Sequence, residues 1–260
     1  HTFPFMSSEL VQESGILYGV NKSNNSLVIL DRFSLHNANS IVFAQSGSGK
    51  SYTTKVEILR QLMQGVKVIV IDPEREYKRL TESVNGTYIK LSAKSRQKIN
   101  PFDLATTFHK ISDLSEHAQD LTEVISLMAE GLSSREKAAV DKAILKIYKK
   151  AKNQQPLLED LYAELQSLGQ LKLCERLEKY ISGSLADVFN AQTNIKLDNR
   201  LVIFDIKDLP ESLRQIMMLI ISNFVKNQVM AKPEKRLLII DEGWMLLEHE
   251  ESARFVAGLV

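Results

Sequence analysis

The run Ala44-Gln-Ser-Gly-Ser-Gly-Lys-Ser51 carries the residue types needed to hold a polyphosphate. Wrapping an anion in backbone N–H groups requires a loop without bulky side chains. Gly47 and Gly49 supply the room and the dihedrals that other residues resist. The pattern matches the P-loop, Gly-x-x-x-x-Gly-Lys-Ser/Thr, with Ala44 at the first glycine position. Alanine suits that position if its φ is negative. Gln45, Ser46, Gly47, Ser48, Gly49, Lys50, Ser51 and Tyr52 are therefore the expected nucleotide-binding residues. Lys50 would neutralise the β- and γ-phosphates, which makes it a catalytic candidate, and the Ser51 hydroxyl would ligate magnesium. The implied ligands are ATP or ADP with Mg2+.

A P-loop needs an acidic partner at the end of a neighbouring strand. Apolar runs end in aspartate at Asp72, Asp205 and Asp241. In a parallel sheet such carboxyl ends share the nucleotide-binding edge. Asp241 is the candidate metal ligand, acting through water, because Leu237–Ile240 precede it and Glu242 follows. Glu242 is the candidate catalytic residue, orienting or deprotonating the attacking water. A second cluster is Asp72-Pro-Glu-Arg-Glu76. Pro73 suits the first turn of a helix, and Glu74 and Glu76 favour its N-terminal end, so capping is one reading. The other gives Asp72, Glu74, Arg75 and Glu76 a supporting role near the γ-phosphate or the water.

The elements that would position these groups follow from pattern. Ser40–Ala44 and Val66–Ile71 are unbroken apolar runs, expected as parallel strands covered on both faces. Between them a helix follows the glycine-rich loop, with Val56, Leu59 and Met63 on one face, and Gly65 ends it. Further strands are expected at Leu27–Leu30, Thr87–Leu91, Leu201–Phe204 and Arg236–Ile240, and a long helix at Glu211–Met230. From Asp103 to about Asn190 the strand pattern disappears. Ser115–Ala129 has helical spacing, Ser133 with Glu136 forms a capping box, Pro156 opens a third helix, and Leu173, Leu177 and Tyr180 mark a fourth. The predicted architecture is α/β: a P-loop domain with a mainly parallel sheet flanked by helices. Residues 1–102 form its first part, 103–190 an all-helical insertion, and 191–260 its continuation.

The bulk numbers exclude more than they assign. The 260 residues carry 44% hydrophobic and 25% charged side chains and a net charge of +1, so no general affinity for polyanions is implied. The basic run Lys90, Lys94, Arg96, Lys98 reads either as a solvated loop or as a contact for DNA or a partner. Cys174 is the single cysteine, which excludes an internal disulfide and suits a reducing cytosol; its helical setting suggests a buried thiol. The 5 histidines show no zinc-ligand spacing. No apolar run is long enough to span a bilayer, and no signal peptide is visible. The chain starts at His1 and stops at Val260 within an apparent helix, and so reads as a piece of a longer protein.

Several segments together resemble a known family. They are Pro4-Phe5, Gly15, Gly19 and Leu30-Asp-Arg-Phe33, then Ser46–Tyr52, Ile71-Asp-Pro-Glu-Arg-Glu-Tyr77, Asn100-Pro-Phe102 and Leu238-Ile-Ile-Asp-Glu-Gly-Trp244. In this order they are similar to the conjugative transfer ATPases of type IV secretion systems, the TraC/TrbE group that includes the fourth VirB protein. The resemblance implies a RecA-like ATPase of the FtsK–HerA branch. It also implies cytoplasmic work at the inner-membrane face, hexamers or related homo-oligomers, and other secretion components and the inner-membrane complex as partners. Its role would be to power channel or pilus assembly and substrate transfer. Relatives carry a polar sensor strand and a trans-acting arginine after the acid pair; Arg254 is not assigned that role. Two other readings stay open: a motor acting directly on DNA, of the coupling-protein or HerA type, and a nucleotide-gated structural module without significant turnover.

Overall fold

Unbroken apolar runs become the centre of a layered α/β domain. The computed structural model describes residues 11–104, 111–151, 154–231, 234–248 and 252–253. Pro4, Phe5 and Arg254, named above, lie outside the described residues. β1 (Ile16–Val20) and β2 (Leu27–Leu30) pair as an antiparallel hairpin apart from the main sheet. β1 lacks a clean alternation, with Gly19 at an irregular register, and sequence pattern did not reveal it. The P-loop leads into α1 (Lys50–Met63), followed by β3 (Lys67–Asp72), α2 (Lys78–Ser83) and β4 (Thr87–Lys90). Five helices come next: α3 (Ile111–Met128), α4 (Ser134–Lys150), α5 (Leu158–Ser167), α6 (Leu171–Ile181) and α7 (Ala186–Phe189). β5 (Leu201–Asp205), α8 (Glu211–Ala231) and β6 (Arg236–Ile240) complete the order.

The main sheet has the order β4-β5-β3-β6, and its neighbouring strands are parallel. Period-two alternation sends β3 side chains to two different cores. Val68 and Val70, with Leu201 and Ile203 of β5, meet Ile58 of α1 and Tyr77 in a small cluster. Ile69 and Ile71, with Val202 and Phe204, join a much larger cluster built with α3–α8. Burial on both faces explains why these strands are continuously apolar.

Three expectations are corrected. Ser40–Ala44 is not a strand, and Ile41, Val42 and Phe43 are exposed by 78%, 59% and 90%. An apolar run becomes a buried strand only when neighbours pair with and cover it, and here no described strand does so. The helix after the P-loop also buries a different face: Ile58 and Gln61 are buried, whereas Leu59 and Met63 are exposed. Packing of Ile58 and Leu62 against β3 fixes its rotation. Finally, Pro73 and Pro156 do not open helices. Arg75 adopts a left-handed φ of 62° and α2 starts only at Lys78, while α5 starts at Leu158, where Asp160 accepts the Leu157 N–H at 2.8 Å.

Candidate nucleotide-binding site

Gly47 and Gly49 take φ values of 77° and 94°, in the region that favours glycine. A Cβ at either would meet no atom within 4 Å, so backbone conformation rather than packing calls for glycine there. Ala44 is not among the residues of positive φ, so the substituted first position is unstrained. The Ser48 N–H and hydroxyl both donate to the Gln45 carbonyl, at 3.1 and 2.7 Å, and close the loop. α1 then begins at Lys50 with no side chain capping its N-terminus. Such an end offers unpaired N–H groups and a positive dipole to an anion. Residues 45–49 are exposed, as is Tyr52, on the first turn of α1.

Lys50 reaches from this loop to the end of β6. Its ammonium lies 2.9 Å from Asp241 Oδ1 and also pairs with Glu242 Oε1. Burial alone would lower the Lys50 pKa, but the hydrogen bonds to Glu242 and Asp241 outweigh it and raise the net value. The same Lys50 contact, with a donation from Trp244, holds the Glu242 carboxyl below its ordinary range. The Trp244 indole Nε1–H donates to Glu242 Oε2 at 2.6 Å. Glu242 has a left-handed φ of 51° and precedes a 3-10 turn at Gly243–Leu247. Trp244 was quoted above only as part of a family ending; its place next to the acid pair was the available signal.

The three strand-end aspartates stand in one row. Asp72 is in register with Asp205, and the Asp241 N–H donates to the carbonyl of Ile71. All three are buried, yet their partners differ. Asp72 accepts the N–H groups of Glu76 and Tyr77, both at 3.0 Å, so it caps the turn that follows β3. Burial raises its pKa, and the charges of Asp205 and Asp241 add to the effect. Asp205 is held by Arg75 Nε at 2.6 Å, the Tyr88 hydroxyl at 2.6 Å and the Lys207 N–H at 3.0 Å. Asp241 is the member of the row that pairs with the P-loop lysine.

The Asp72–Glu76 segment is thus tied into the scaffold one strand away from Lys50. Arg75 bridges Asp205 and Asp208, and Glu74 pairs with Arg214 at 3.2 Å and with Lys207 at 3.6 Å. Glu76 is exposed. Within the basic run, Lys90 is paired with Asp208 at 2.5 Å, so it is not free of acids as its sequence neighbours suggested. Tyr88, Lys207, Asp208 and Arg214 escaped the sequence reading because they join the network from separate elements, with no fixed spacing to announce them. Cys174 is buried, as expected.

Magnesium in nucleotide sites takes one or two protein oxygens and completes its shell with phosphate and water. Among the described residues no group of three or more His, Cys, Asp or Glu side chains is arranged to hold a metal unaided. A hydroxyl at Ser51 and a carboxylate at Asp241 fit a metal that arrives with its phosphates. No helix among the described residues is long and apolar enough to cross a membrane.

Residues 16–227 match the family described as "Helicase HerA, central domain". The chain belongs to this HerA family. It is similar to Protein TraC of Escherichia coli (strain K12), at 24% identity over 86% of this chain and 28% of TraC. It therefore spans little more than a quarter of that relative's length. The solved structure of VirB4 of Thermoanaerobacter pseudethanolicus matches with a TM-score of 0.81 and 27% identity. That match covers 97% of this chain and 74% of VirB4. Together these place the chain among TraC/VirB4-like proteins of the FtsK–HerA branch and support a RecA-like P-loop fold.

Proposed function

We propose that this chain binds and hydrolyses ATP with Mg2+ as the core of a conjugative type IV secretion motor. The observation that carries the reading is the bridge from Lys50 to Asp241 and Glu242. It supports the reading because it joins the lysine of a P-loop sequence to an acid pair of the kind that P-loop hydrolases use. The backbone of Gln45–Gly49 cradles the phosphates, Lys50 neutralises them, and Ser51 and Asp241 hold the metal. Bound magnesium supplies charge stabilisation at the phosphates. Glu242 takes the proton of the water that attacks the γ-phosphorus as the bond to the β-phosphate oxygen breaks, giving ADP and phosphate. Asp72, Glu74, Arg75 and Glu76 support the edge one strand away. We assign residues 103–190 to a helical insertion in the ATPase domain.

The likeness to TraC and VirB4 supports a setting in conjugation or secretion. In that setting the motor works as a homo-oligomer, a hexamer in the whole protein, at the cytoplasmic face of the inner membrane with other secretion components. The test pairs calorimetry with turnover. Glu242→Gln is expected to keep ATP affinity and lose hydrolysis, since an amide cannot act as a base; a Glu242→Gln protein that turns over normally sinks the assignment. Turnover measured against protein concentration, with and without DNA and across salt, separates the secretion motor from a DNA-driven one. Steeply salt-dependent stimulation by DNA would favour the latter.

A further inference from the structure

The tryptophan beside the acid pair is placed in a way that packing does not explain. Trp244 is the single tryptophan of the chain. Its side chain is 52% exposed, although its neighbours Met245 and Leu246 are buried and anchor the same turn. An aromatic ring used as core filling would be covered. Instead the indole N–H points at Glu242 Oε2, at 2.6 Å, and the other oxygen, Oε1, is taken by Lys50. The backbone of Glu242 adds a second constraint. It sits in the left-handed region, which a non-glycine residue occupies only when its surroundings hold it there. Its N–H donates to Asp241 Oδ1 at 3.1 Å, and its carbonyl accepts from the Met245 N–H at 3.0 Å.

We propose that Trp244 is a positioning residue for Glu242: its indole N–H keeps one carboxylate oxygen fixed while the other is handed over from Lys50 to the attacking water. The division of labour follows from the two contacts. Phosphates compete for the Lys50 ammonium and free Oε1. They offer nothing that competes for an N–H donor already seated on Oε2. The carboxylate is then held at one end and open at the other, as a general base requires. This inference rests on the reading of Glu242 as the catalytic base.

The test uses Trp244→Phe, which keeps an aromatic ring and removes the N–H, and Trp244→His, which restores a ring N–H. A hydrogen bond to a charged group predicts about a tenfold fall in kcat for Trp244→Phe, with KM for ATP and the Kd for ADP unchanged. Trp244→His should recover part of the loss. Unchanged kcat in Trp244→Phe, equal losses in both variants, or a joint loss of ADP affinity overturns the proposal. A second measurement needs no substitution at Trp244. The emission of the sole tryptophan should shift in Glu242→Ala, and emission identical to the unmodified chain would show that the contact is absent. Glu242→Gln run in parallel separates the two ideas. If it keeps turnover, the catalytic assignment fails; if it is inactive while Trp244→Phe is normal, only the positioning role fails.

Discussion

The two faces of the main sheet are built on different scales. One carries α3–α8 and a single large cluster that reaches from Ile69 and Phe204 through Leu121, Val140 and Leu161 to Leu219. The other carries α1 and α2 over a small cluster around Ile58, Val68, Val70 and Ile203. Close-packed interiors resist displacement. The thick face therefore fixes where the strands end, and with them the row of Asp72, Asp205 and Asp241. On the thin face, Lys50 at the start of α1 is tied to the acid pair by ion pairs. Exchanging those pairs for phosphate contacts disturbs no core. Stability is thus concentrated on one face, and the proposed nucleotide response falls on the other.

The largest expected effect is on the thick face. Phe204 is fully buried there, and Phe204→Ala should cost about 4 kcal/mol in a urea denaturation series. If the faces are separate, ADP affinity per folded molecule stays unchanged at moderate temperature. A parallel loss of affinity would break the division. The converse variant is Lys50→Ala. Removing a charge-assisted phosphate contact should weaken ADP binding about 100-fold by calorimetry, with no comparable loss of folding stability. A folded Lys50→Ala protein with unchanged ADP affinity would remove the P-loop assignment altogether.

The same division explains what could be read from sequence. β3 and β5 were legible because burial on both faces leaves unbroken apolar runs, β6 because its partly buried apolar run packs against both clusters, and α4 because Ser133 and Glu136 announce their cap. Lys50, Asp241 and Glu242 were legible as a motif and an acid pair, although their contact spans 192 positions. The misreadings fall on exposed runs and element starts, where few neighbours fix the chain. Ser40–Ala44 has a strand's composition, but strand formation depends on a partner that its own residues do not encode. α1 offers apolar residues on two sides, and periodicity alone could not choose between Leu59 with Met63 and Ile58 with Leu62. The Arg75–Asp205–Tyr88 network was invisible for a related reason: burial makes it, and local spacing leaves no trace of it.

Acid should separate the faces by a smaller amount. His117 of α3 is buried, with Nε2 2.8 Å from the Tyr148 hydroxyl and Nδ1 3.3 Å from the Asn227 amide. Burial, reinforced by the charge of Lys226, pushes its pKa down to about 3. A depressed folded-state value means that the unfolded chain binds the proton first. The neutral ring's contribution is complete above the ordinary value near 6.5 and declines as pH falls from there toward about 3. Between pH 6.5 and pH 5 this amounts to roughly 2 kcal/mol. Asp103 and Asp120, whose pKa values burial raises, act in the opposite sense, so the comparison must be made against a variant. Stability measured by urea at both pH values should fall less steeply in His117→Gln than in the unmodified chain. Equal slopes would mean that the ring is not buried neutral.

The smallest effect probes the far end of the thick face. Ser133 accepts the Glu136 N–H at 3.3 Å, and Glu136 returns a bond from the Ser133 N–H at 2.8 Å. Glu136 has a second duty, pairing with Arg176 of α6, and Arg176 in turn donates to the carbonyls of Ala129 and Gly131 where α3 ends. The cap is therefore also a joint between three helices. Ser133→Ala removes the hydroxyl that accepts from the Glu136 N–H and donates to Glu136 Oε2 at 2.7 Å, and it leaves the Glu136–Arg176 pair in place. It should cost about 1 kcal/mol, the usual loss for a capping serine. Glu136→Ala removes the returned bond and the ion pair together, so it should cost more, and the gap between the two variants measures the joint. Neither should alter ADP affinity, since no element of this joint touches the P-loop. If Ser133→Ala weakens ADP binding while the protein stays folded, strain at the helical end reaches the nucleotide edge through the shared core, and the thick face is a transmitter rather than a foundation.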